Sequence, residues 1–124
     1  MKQQAKKTST EAKITTEEKI KLYGTISPLL HSAFNEVKEF SKKKQDEPLN
    51  LKKVKMINRL LEKAKEVLKN EPTVDFLDML DEDDLPSNSD AVLTMSQFIT
   101  AMNKFHSDHY HLNEWEIGGG GEWD

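Results

Sequence analysis

Cysteine is absent from the 124-residue chain, which removes disulfides, thiolate metal sites and cysteine nucleophiles at one stroke. Arginine occurs once, at Arg59, so little is available for the bidentate contacts that read base edges. Glycine is limited to five residues, four of them in the run Gly118 to Gly121. No glycine-rich loop therefore follows a strand to cradle a phosphate, and no serine sits in a nucleophile elbow. Long apolar runs are missing too. Nothing approaches the stretch of about 20 residues that spans a bilayer, and the first 21 residues hold no apolar run of roughly 7–15 behind their lysines, as a secretory leader would. These absences lead to the expectation of a cytoplasmic protein with no membrane partner, no enzyme activity and no cofactor.

Hydrophobic residues amount to 35% of the chain and charged residues to 32%, against roughly 45–50% (a count that includes glycine) and 25% in ordinary globular domains. The length suits one domain with a thin core. The net charge of −4 conceals an asymmetry. Residues 1–71 carry 17 basic and 10 acidic side chains, whereas residues 72–124 carry Lys104 alone against 12 acids. Such a layout either draws the two parts together or offers a differently charged face to each of two partners.

Apolar spacing is helical throughout, and no alternating run of β-branched residues is long enough for a strand. Residues 1–14 are polar and aperiodic and read as a disordered tail. The Thr15-Thr16-Glu17-Glu18 stretch has the spacing of a capping box. Ser27-Pro28 is a second helix-start signal, followed by Leu29, Leu30, Ala33, Phe34, Val37 and Phe40. The spacing predicts a helix over about 28–43, either starting there or continuing the preceding segment through a kink at Pro28. Lys42 to Lys44 suit the negative end of its dipole. Asn50 is the expected N-cap of a helix over about 51–69 with Val54, Ile57, Leu61, Ala64 and Leu68 on one stripe. A short helical turn follows around Val74, Phe76 and Leu77, then a loop through Asp81 to Ser89. Ser89 or Asp90 is expected to cap a last helix ending near Leu112. The whole is an all-α bundle of three to five helices over residues 15–112, with a flexible acidic tail over 113–124 that holds both tryptophans.

Three groups of residues have chemistry to offer. Asp81, Glu82, Asp83 and Asp84 form an acidic run that lacks the glycine and distal glutamate of a calcium loop, and with Trp115 and Trp123 they are the candidate docking residues for a protein partner. Aromatic anchors in polar segments tend to dominate binding energy. This makes a protein-interaction module the leading expectation: an accessory or regulatory subunit of adaptor, antitoxin-like, immunity-like or assembly type, with self-association as a homo-oligomer left open. Lys52, Lys53, Lys55, Arg59 and Lys63, in the basic stretch 42–69, are the alternative. They could engage phosphates of a nucleic acid, although Glu62 and Glu66 interleave with them. Finally, His106 and His109 lie three residues apart on one helix, a spacing at which two imidazoles can hold a divalent ion if a third ligand, His31, Asp108 or an acid of the 81–84 run, joins them.

Overall fold

The structure, a computed structural model, describes residues 15–117, with side chains through residue 109. The expected tail 1–14 and the glycine run with Trp123 lie outside the described residues. Among the described residues three α-helices form a small all-α bundle: α1 (Thr16–Lys43), α2 (Leu51–Val67) and α3 (Asn88–Ile117), with a short 3-10 helix, Pro72–Phe76, between the last two.

Helix α1 starts as its sequence dictates. The Glu18 N–H donates to Thr15 Oγ1 and the Thr15 N–H donates to Glu18 Oε1, both at 3.0 Å, so two otherwise orphaned donors satisfy each other's side chains. The helix then continues without interruption through Pro28, which makes the Ser27-Pro28 signal internal. Proline at 28 deprives the Gly24 carbonyl of its helical donor and crowds it. Gly24 is exposed and nothing stands within 4 Å of where its Cβ would be, so the carbonyl can turn toward water at little cost. Ile26, Leu30 and Val37 form the buried stripe.

Helix α2 begins at the expected cap, with the Lys53 N–H donating to Asn50 Oδ1 at 2.9 Å. It buries Val54, Ile57, Leu61, Ala64 and Val67. Its last regular residue, Val67, falls two short of the expected 69, within the fraying that helix ends show.

Helix α3 departs from expectation at both ends. Its cap is Ser87, not Ser89 or Asp90: the Asp90 N–H donates to Ser87 Oγ at 3.1 Å. The free N–H groups of Asn88 and Ser89 instead reach across to the carbonyls of Glu47 and Gln45, at 2.9 and 3.0 Å. The Asn88 side chain donates to the Lys44 carbonyl at 2.9 Å, and the Leu49 N–H to that of Pro86 at 2.8 Å. This clamp satisfies the orphan donors of a helix start. It also fixes α3 antiparallel to α1, beginning beside the end of α1. At the other end α3 runs to Ile117, five residues past Leu112. Asn113 to Ile117 contain no breaker, and the first one in sequence is Gly118. Trp115 is therefore on α3.

Ala91, Met95, Phe98, Ala101, Met102 and Phe105 carry the α3 side of the core. Helices α1 and α3 pack extensively, as do α1 and α2, but α2 and α3 scarcely meet. The linker of residues 68–87 fills that space with buried Leu77 and Leu80. Asn58 of α2 pins it there. Its Nδ2 donates to the Leu80 carbonyl and its Oδ1 accepts from the Leu80 N–H, both at 2.9 Å, so one side chain completes both backbone groups of a buried residue.

Candidate interaction surfaces

The acidic run caps the linker. Asp81 Oδ1 accepts the N–H groups of Asp83 and Asp84 at 2.8 and 3.0 Å, a side-chain turn that short polar residues form readily. Glu82 reaches back to α2, where it accepts from Asn58 Nδ2 at 3.1 Å and pairs with Lys55 Nζ at 3.4 Å. Those two contacts, the asparagine bond first, hold its carboxyl below the ordinary range. Glu82 thus contributes to holding the linker, while Asp83 and Asp84 stand exposed. Charge continues upstream with exposed Asp75 and Asp78, which bracket a residue the sequence reading assigned only to a helical turn. Phe76 is 78% exposed, the highest value among the exposed large hydrophobic residues whose side chains are described. It stands at the lip of a cleft of about 280 Å³ between the 3-10 helix and the outer face of α3, with Leu77, Gln97, Thr100 and Ala101 among its walls. The Thr73 hydroxyl in that wall has no hydrogen-bond partner among the described residues.

The basic candidates share α2 but do different things. Lys52, Lys55, Arg59 and Lys63, at spacings of 3, 4 and 4, form its exposed outer face. Lys55 is paired with Glu82, and Lys63 with Glu66 at 3.5 Å. Lys53 turns inward instead, its ammonium 5.5 Å from the centre of the Phe40 ring. There it forms part of the wall of an apolar groove between α1 and α2.

The two histidines part company. The His106 ring stacks on Tyr23 of α1, with centroids 5.0 Å apart and planes at 27°, and burial pushes its pKa down. The His109 ring lies 4.3 Å from that of Phe105, and its Nε2 is 3.4 Å from the Glu71 carboxylate. One ring leans on α1 and the other on the end of the α2 linker, so both would have to leave these partners to share an ion. Among the described residues, no three metal-ligating side chains of His, Asp or Glu converge. No family model matches the chain, and neither a curated protein nor a solved structure does.

Asn58, Asn88 and Phe76 are the residues sequence reasoning passed over. An asparagine one turn before Leu61, inside an apolar stripe, was a signal that a backbone segment is held there. The Ser87-x-x-Asp90 spacing was likewise a cap signal upstream of the one chosen. Phe76 gave none, because exposure of a single aromatic depends on how the linker folds.

Proposed function

We propose that the chain is a non-catalytic protein-interaction module, an accessory or regulatory subunit of the cytoplasm that docks through its linker face. The observation that carries this reading is the exposure of Phe76 beside an open cleft and between two aspartates. Burying an aromatic of roughly 150–250 Å² is a strong driving force for association, and leaving it in water serves the isolated fold nothing. Asp75 and Asp78 flank the anchor with negative charge, and Asp83 and Asp84 add to it farther along the linker, so the matching partner presents an apolar pocket with a basic rim. Charge of that kind sets orientation and encounter rate more than affinity. Trp115 and Trp123 are further anchors in this reading, extending the same acidic, aromatic chemistry along the C-terminal residues.

A photo-crosslinking phenylalanine analogue at position 76, expressed in the native host, tests it. The expected result is one discrete protein adduct that disappears when Asp75→Lys and Asp78→Lys are added. Failure to form any adduct from 76, and equally from positions 115 and 123 treated the same way, rejects the reading.

A further inference from the structure

Among the described residues the groove between α1 and α2 is lined by these two helices alone. Its floor is apolar, with Val37 and Ile57 buried and Ala33, Phe40 and Leu60 half-buried. Met56 stands on its rim at 56% exposure. Leu29, 52% exposed, lies one turn before Ala33 on the same face of α1. From Leu29 to Phe40 the apolar line runs roughly 16 Å at the helical rise, room for about three turns of a helix. The trough holds about 220 Å³ and opens at one end into a cleft of about 420 Å³ beside the α1–α2 loop, the two sharing Phe40 and Lys53.

The charge around this trough is cationic. Lys53 lies at the junction, Lys43 and Lys44 line the cleft, where Glu47 pairs with Lys44 at 3.7 Å, and exposed Lys52 and Arg59 stand on the adjoining outer face of α2. Among the described residues neither Lys52 nor Arg59 enters an ion pair. In the lining of the trough Glu36 is the one acid. From this juxtaposition we infer that the α1–α2 groove is a docking site for an acidic amphipathic helix of a partner protein, laid into the position a fourth helix of a bundle would occupy. Its apolar residues, at i, i+3, i+4 and i+7, meet Phe40, Met56 and Leu60, and its carboxylates meet Lys53 and the cations beyond it. A nucleic acid fits the same charges less well. Its phosphates gain nothing from an apolar trough, and Glu62 and Glu66 stand among the lysines. This face is opposite in charge to the Phe76 face, and the inference stands independently of that one.

The test uses the full chain and two fluorescein-labelled helical peptides with identical leucines at i, i+3, i+4 and i+7. One carries glutamate on its outer face, the other lysine, and binding is read by anisotropy at low salt. Since the protein's net charge is −4, bulk attraction favours the lysine peptide, so preference for glutamate reports the groove. The expected result is at least tenfold tighter binding of the glutamate peptide. Met56→Lys should weaken it about tenfold by removing the apolar contact while keeping positive charge, and Lys53→Glu should reverse the preference. Both side chains are accessible, and unchanged melting temperatures establish that the variants are folded. Equal binding of the two peptides, no binding, indifference to Met56→Lys, or displacement of the glutamate peptide by an equimolar oligonucleotide overturns the inference.

Discussion

The two seams of α2 are built in different ways. Against α1 it packs directly, stripe to stripe, with Ile57 and Val37 closing the interior. Toward α3 it relies on the linker, which reaches it through Leu77, Leu80 and the paired hydrogen bonds of Asn58. The first seam rests on non-directional burial, which tolerates an open trough along its rim. The second depends on two bonds of fixed geometry, and a segment without regular α-helix becomes part of the core because of them. The difference teaches that in a thin bundle a loop can serve as a wall, provided that its buried backbone groups find partners.

The largest effect is expected where the seams meet. Leu61 is fully buried, and Leu61→Asp should cost several kcal/mol by placing a charge among apolar neighbours with no partner. Circular dichroism should show the helical signal lost at room temperature; a cooperative melt near that of the parent would mean that the stripe is misplaced.

Asn58→Leu breaks the second seam alone. It leaves the Leu80 N–H and carbonyl buried without partners and should cost about 2–6 kcal/mol, at roughly 1–3 for each unsatisfied group. Hydrogen exchange should speed up over residues 77–82 before it does in α1. Asn58→Asp is the sharper variant, since it keeps an acceptor for the Leu80 N–H but sets a second carboxylate beside Glu82, so its deficit should shrink as pH falls toward the carboxylate range. Uniform loss of protection in all three helices would argue that the seams are not separable.

A smaller loss, about 1 kcal/mol, is expected for Ser87→Ala, which removes the cap where the linker hands over to α3. Ser87→Asp should recover most of it. Equal denaturation midpoints for the serine and alanine proteins would show that the backbone bonds of Asn88 and Ser89 to the α1–α2 loop suffice there.

These seams were unequally legible. Caps placed the starts of α1 and α2, and period placed α2, the second part of α1 and most of α3, because Thr15, Asn50 and the stripes through Leu61 and Met95 act over one to four residues. Pro28 could be read as a start or a kink, and the choice depended on Gly24 being exposed, a tertiary fact. The candidate surfaces were harder to read. The acids and lysines were visible as charge, but that Glu82 is bound to α2 while Phe76 projects follows from the path of the linker, which Asn58 sets from 22 residues away. The apolar groove needs two helices in register, and no single stretch of sequence records that.

The smallest effect probes the third seam, between α1 and α3, at the end of the bundle opposite the Asn88 clamp. His106 stacks there on Tyr23, and burial lowers its pKa from the ordinary 6.5. Below pH 6.5 the unfolded chain therefore takes up the proton before the folded one does. In that window stability rises with pH, is fully present above the unfolded value, and is lost progressively as pH falls from 6.5 toward the folded value. Replacement by glutamine removes the titrating group while keeping a polar side chain of similar reach. Melting temperatures measured at half-unit steps from pH 7.5 to 5 should fall in the parent and fall less in His106→Gln, the gap between the curves changing only below about 6.5. Since carboxylates titrate in both proteins, the informative quantity is the difference between the two curves. A constant difference across the range would mean that the ring is equally at ease charged and neutral, and that its contact with Tyr23 does not depend on keeping water away.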